Sequence, residues 1–128
     1  MNTDEAQAAV DMFLSAFNAP EEVSVIERLS RALTPEVVFW GPLGRSEGVE
    51  AVGRFVLDLR RHTAGEGRMA RRSEVDVPGE WARYQWLYST PDDRTTLSGT
   101  DVVHIDRGRI DQMIVFAGDV PSLKGPAA

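Results

Sequence analysis

An aspartate in an otherwise apolar row is where this chain holds most of its chemistry. It lies in Thr96-Leu97-Ser98-Gly99-Thr100-Asp101-Val102-Val103-His104-Ile105, which follows Trp81-Ala82-Arg83-Tyr84-Gln85-Trp86-Leu87-Tyr88 and a Pro91-Asp92-Asp93 turn. Side chains two apart share a face of an extended strand, so Ala82, Tyr84, Trp86 and Tyr88 form one row, and Leu97, Gly99, Asp101, Val103 and Ile105 another. A turn centred on Asp92-Asp93 pairs Tyr84 with Asp101, Trp86 with Gly99 and Tyr88 with Leu97 on one face. Gly99 then leaves room for the Trp86 indole, whereas a slip of one residue separates Asp101 from the aromatics. A carboxyl among tyrosine, tryptophan and aliphatic side chains is costly to ionise, so it has either a partner or a raised pKa. With a raised pKa it is a general base when ionised and a hydrogen-bond donor to an enolate when protonated, while Tyr84 or Tyr88 supplies a phenol that orients it or steadies an oxyanion. With a partner, it accepts from Tyr84, Trp40 or a backbone N–H and fixes strand register.

The elements that must position this pair follow from periodicity. Thr3 is the expected N-cap of a first helix whose Val10, Phe13, Leu14 and Phe17 recur at helical spacing, and Asn18-Ala19-Pro20 ends it. A second helix opens at Pro20-Glu21-Glu22, with Ile26, Leu29 and Leu33 as its buried edge, and stops at Thr34-Pro35. Glu36-Val37-Val38-Phe39-Trp40 reads as a strand closed by the turn Gly41-Pro42-Leu43-Gly44. Ser46 is the expected cap of a third helix with Val52, Phe55, Val56 and Leu59 on its apolar face, and Arg60, Arg61 and His62 at its cation-favouring end. Strands are expected over 68–77, 80–90, 94–106 and 109–118, and a loose tail over 121–128. Helices first and strands after is the α+β pattern.

A chain of 128 residues is long enough for one domain with a real core, over its whole length 1–128. A net charge of −6 opposes general nucleic-acid binding, and no apolar run approaches the roughly 18 residues of a membrane span, so neither nucleic acid nor membrane is an expected partner. The acidic start Met1-Asn2-Thr3-Asp4-Glu5 does not resemble a secretory leader, and a cytoplasmic protein is expected. With no cysteine, thiolate catalysis and disulfides are excluded. His62 and His104 lie on different elements with no metal-ligand spacing, so no metal site is expected. His104, of opposite parity to Asp101, belongs to the outer sheet face, in a dimer contact or solvent. Arg60, Arg61, Arg68, Arg71 and Arg72 either meet as a basic patch or form a solvated surface paired with Glu66 or Glu74.

Several strings in this order resemble the nuclear-transport-factor-2-like superfamily, in the branch of SnoaL-like polyketide cyclases and ketosteroid isomerases. They are Ala16-Phe17-Asn18-Ala19, Val38-Phe39-Trp40-Gly41-Pro42-Leu43-Gly44, Gly48-Val49-Glu50-Ala51-Val52, Gly99-Thr100-Asp101 with Gly108-Arg109-Ile110, and Phe116-Ala117-Gly118. The resemblance covers roughly residues 5–119 and speaks for fold more than for activity. It implies a cone-shaped barrel, a curved and mainly antiparallel sheet wrapped around three helices from the N-terminal half, with a deep apolar pocket, a homodimer through the outer sheet face and no cofactor. In such a cone a small apolar or aromatic organic ligand is expected against Phe13, Phe17, Trp40, Gly41, Phe55, Leu59, Trp86, Tyr88, Gly99, Val103, Met113 and Val115, with Asp101 and Tyr84 as the catalytic pair.

Ketosteroid isomerases carry an aspartate base just before the proline of a string similar to Gly41-Pro42-Leu43-Gly44, and here that place is Gly41. Their oxyanion-binding tyrosine matches Phe13, and only their protonated aspartate has a counterpart, Asp101. Steroid isomerisation by that mechanism is therefore not expected. SnoaL-like cyclases close a ring by cofactor-free aldol chemistry with an acidic residue on the sheet, which Asp101 matches. The Asp-Arg-Asp set of limonene epoxide hydrolases has no match, since no Arg-x-Asp lies over 80–90 and Val115 stands near the last aspartate's place. The expected function is isomerase- or cyclase-type acid/base chemistry at Asp101, or alternatively a non-catalytic binding or dimerisation module.

Overall fold

A computed structural model describes residues 2–124; Met1 and residues 125–128, the end of the expected tail, lie outside the described residues. Helix α1 (Thr3–Ser15) is capped by Asn2, one residue before the expected Thr3, whose Oδ1 accepts from the Glu5 N–H at 2.7 Å. Asp4 and Glu5 then sit in the first turn, where the helix dipole favours acids. Its buried Val10, Phe13 and Leu14 continue into a 3₁₀ turn, Ala16–Asn18, before Pro20 breaks the run. Helix α2 (Glu22–Ala32) buries Val25, Leu29 and Ala32 rather than the Ile26 and Leu33 edge. Leu33, the extended C-cap, instead opens strand β1 (Leu33–Gly41), and Pro35 biases the following Thr34 to extended geometry as well.

The turn after Gly41 leads into a short strand, β2 (Gly44–Glu47), where Ser46 faces Phe39 across the ladder and caps no helix. Helix α3 (Val49–His62) starts after Gly48, whose φ of 92° suits a residue without Cβ. Strand β3 (Arg68–Arg71) is shorter than expected; beyond it Arg72 N–H still donates to the Gln85 carbonyl at 2.8 Å, and Asp76 forms an isolated bridge with Arg83. Strands β4 (Trp81–Ser89), β5 (Thr96–Asp106) and β6 (Arg109–Ala117) complete one sheet in the order β2-β1-β6-β5-β4-β3.

Four of its five pairings are antiparallel, and β1 and β6 run parallel. The sheet curves around the helices in the expected cone-like form without closing on itself: β2 and β3, four residues each, are its edges. The helices cover one face, which buries Ala82, Tyr84, Trp86, Tyr88, Val103, Ile105, Ile110 and Met113 in a common cluster with Phe13, Phe17, Leu29 and Val56. The β4–β5 pairing matches Tyr84 with Asp101, Trp86 with Gly99 and Tyr88 with Leu97, the register that alternation and the Asp92-Asp93 turn predict. Among the described residues no helix is long and apolar enough to cross a membrane.

Candidate functional site

Strand register places two donors on one carboxylate. Tyr84, directly across from Asp101, donates its hydroxyl to Oδ2 at 2.6 Å, and Trp86, its diagonal neighbour, donates Nε1–H to Oδ1 at 2.8 Å. The indole lies over Gly99, where a Cβ would overlap both the ring and the Phe116 carbonyl oxygen. Asp101 is only 2% exposed. Among the described residues no cation forms an ion pair with it. Burial pushes its carboxyl from 3.8 up to about 7, against the smaller downward pull of the Tyr84 and Trp86 hydrogen bonds. The Tyr84 phenol is held well above its ordinary range, first by burial and then by the charge of Asp101. Near neutrality, therefore, Asp101 exchanges the proton and Tyr84 stays a donor.

Asp101 forms part of the wall of a cavity of about 470 Å³ between the sheet and helices α1 and α3. Phe13 and Phe17 line it from the α1 side, Phe55 and Leu59 from α3, Phe39 from β1, Met69 from β3, and Trp86 and Val115 from the sheet centre. Thr96, Leu97, Ser98, Ala117, Gly118 and Pro42 complete the lining, with Leu97 at the rim, 43% exposed. Among the described residues Asp101 is the only ionisable side chain on that wall.

Of the residues expected around a ligand, Phe13, Phe17, Phe55, Leu59, Trp86 and Val115 lie on this wall with Asp101. Trp40 does not. It is one residue out of phase, 46% exposed on the outer face beneath the Arg45 guanidinium, 5.8 Å from its ring centre. Phe39 points inward in its stead and packs against Phe55 with ring centres 5.4 Å apart. The Phe39 ring also covers Gly41, where a Cβ would overlap it, so position 41 is off the wall.

Tyr88 faces the right way but is wholly buried beyond the cavity: its hydroxyl meets Thr63 Oγ1 at 2.8 Å and its ring packs near Phe17. Val103 and Met113 are likewise buried on the inner face yet absent from the wall, and Gly99 cedes its place to the indole. Tyr84, expected as a catalytic partner, also lies off the wall with its hydroxyl hydrogen-bonded to the carboxylate, which makes it a positioning residue.

Phe39 and Met69 are wall residues that sequence reasoning did not name. Val37-Val38-Phe39-Trp40 contains no polar residue to set its phase, whereas Met69 was readable as the apolar residue between Arg68 and Ala70-Arg71. The arginines expected as a patch disperse: Arg71 pairs with Asp11 at 2.8 Å, Arg61 with Glu22 at 2.9 Å, and Arg68 donates to the Gly65 and Gly67 carbonyls. The partners are not the expected Glu66 and Glu74. On the outer face, His104 Nδ1 lies 2.7 Å from Asp111 Oδ1 and its ring meets Trp81 edge-on. Two features expected of opposite functions occur together, a cavity reaching Asp101 and a carboxylate whose two oxygens already accept protein hydrogen bonds.

No known sequence-family pattern matches the chain, and no curated protein sequence matches it. Solved structures do. A candidate isomerase of the SnoaL-like family from Agrobacterium tumefaciens superposes with a TM-score of 0.78 at 22% identity, covering 91% of this chain and 99% of its own. A candidate polyketide cyclase from Sinorhizobium meliloti gives 0.67 at 19% identity, over 90% and 99%. A de novo designed protein with a curved β-sheet gives 0.69 at 18% identity, over 90% and 86%, so likeness at this level speaks for architecture and leaves activity to the site. The open, curved sheet packed on three helices is the nuclear-transport-factor-2-like fold, in the form shared by SnoaL-like proteins.

Proposed function

We propose that the cavity binds a small, largely apolar organic molecule and that Asp101 serves it as acid/base group in a cofactor-free enolisation, of isomerase or aldol-cyclase type. One observation carries this reading: a single ionisable group, held near neutrality by burial, on an otherwise largely apolar wall. The volume of about 470 Å³ falls within the range of small-molecule sites.

In this reading the carboxylate takes a proton from the carbon beside a substrate carbonyl while Tyr84 and Trp86 hold its plane. The resulting acid returns the proton at another carbon, which isomerises the substrate, or the enolate attacks a second carbonyl and closes a ring, and the acid returns the proton to the alkoxide that forms. The ketosteroid-isomerase route stays excluded, since the Phe39 ring stands where a side chain at Gly41 would project and Phe13 lacks a hydroxyl. The names of the two natural relatives, a candidate isomerase and a candidate cyclase, agree with this class of chemistry.

A second reading, binding without turnover, is favoured by the absence of a free N–H donor side chain on the wall; besides Asp101 and Trp86 its polar side chains are the Thr96 and Ser98 hydroxyls. A thermal-shift screen of steroids, aromatic polyketide-like ketones and terpenoids finds the ligand, because saturation at 100 times Kd adds about 2.7 kcal/mol. Turnover of the hits by the parent and by Asp101→Asn then decides. An inactive, folded variant supports enolisation, and an Asn variant as active as the parent ends it. We further propose that two copies pair through the outer sheet face, where Trp40, Trp81 and Phe116 are 46%, 38% and 55% exposed.

A further inference from the structure

Resting on the reading of the cavity as a small-molecule site, we propose that its ligand carries a protonated amino group, with Asp101 as the counter-ion and the surrounding aromatic rings as the rest of its shell. Buried carboxylates are ordinarily matched by a cation, and Asp101 has only a phenol and an indole, which stabilise a negative charge without cancelling it. Other carboxylates of this chain have their cations: Asp11 has Arg71 and Asp76 has Arg83. Above neutrality, where Asp101 is ionised, a positive charge can reach it through the cavity it lines.

The wall agrees with that charge. Five aromatic rings, Phe13, Phe17, Phe39, Phe55 and Trp86, border the space, and the face of each attracts a cation. No lysine, arginine or histidine lines it, so a ligand carboxylate or phosphate would be desolvated beside a like charge. An ammonium group uses both the carboxylate and the rings.

Three probes on one skeleton test this: 1-naphthylmethylamine, 1-naphthalenemethanol and 1-naphthoic acid, titrated calorimetrically into the full chain at pH 8. The amine is expected to bind at least about tenfold more tightly than the alcohol, and the acid most weakly. In Asp101→Asn, checked for folding by circular dichroism, the preference for amine over alcohol is expected to vanish while alcohol binding persists. Alcohol or acid binding as tightly as amine in the parent overturns the amine assignment and leaves the small-molecule reading standing. Failure of all three to bind overturns both. An amine preference that survives in the Asn variant also overturns it, because the cation is then held elsewhere; should that variant not fold, the ranking in the parent decides.

Discussion

On the outer side of the sheet, Asp111 lies 2.7 Å from His104 and Asp76 lies 2.8 Å from Arg83, both within reach of water, whereas on the inner face Asp101 is 2% exposed and meets only neutral donors. Outer pairs of this kind form at little cost and contribute about 0–1 kcal/mol each. The inner carboxyl costs several times that to ionise; two hydrogen bonds recover part of that cost, and among the described residues no cation pairs with it. Fixing strand register would need only hydrogen bonds, which an asparagine makes without that cost. What the carboxyl adds is proton exchange and negative charge, and both are presented to a cavity.

The most severe way to break this contrast is through pH. Because the folded-state pKa of Asp101 lies near 7 and its ordinary value is 3.8, the folded protein keeps a proton that the unfolded chain releases over that interval. Stability contributed by this group is therefore full below about pH 4 and declines as pH rises to about 7, by about 4 kcal/mol, staying low above it. Denaturant unfolding at pH 4.5 and pH 8 measures this, and Asp101→Asn is expected to flatten the decline and exceed the parent's stability at pH 8.

The two faces are expected to differ next in their aromatics. Phe39→Ala should cost about 3 kcal/mol and enlarge the cavity, while its neighbour in sequence, Trp40→Ala, should cost the monomer less than about 1 kcal/mol; urea midpoints check both. Gly99→Ala should cost about 1–3 kcal/mol and tilt the Trp86 indole off Asp101, read as an upward move of the Asp101 pKa by carboxyl NMR. Smallest in its effect on the cavity is the pair Trp40→Glu and Phe116→Glu. It should convert the proposed dimer to monomer in sedimentation while leaving ligand affinity within about twofold; an unchanged mass would remove the outer face as an interface.

How much of this was legible depended on local polarity. In β4 the alternation Trp81-Ala82-Arg83-Tyr84-Gln85-Trp86 interleaves polar and apolar side chains, so phase, register and the contact of Tyr84 with Asp101 could be read directly. Along Val37-Val38-Phe39-Trp40 both faces are apolar, and nothing local separates the inward Phe39 from the outward Trp40. Tyr88 and Val103 were placed on the correct face and the Arg107-Gly108 turn left that of Met113 open, but how far the cavity extends along a face depends on where α1 and α3 stop covering the sheet, which is a tertiary fact. The open sheet edge was hidden for a similar reason: β2 is four residues long in a stretch whose Ser46 and Gly48 also read as a helix start.

Carboxyl-carbon NMR of aspartate-labelled protein, followed from pH 3 to pH 9, measures the central quantity itself. The account predicts one aspartate, absent from spectra of Asp101→Asn, titrating with a midpoint of about 7 and shifting when a cavity ligand is added. A midpoint for Asp101 near the ordinary 3.8, or a resonance indifferent to every ligand that binds, would contradict it.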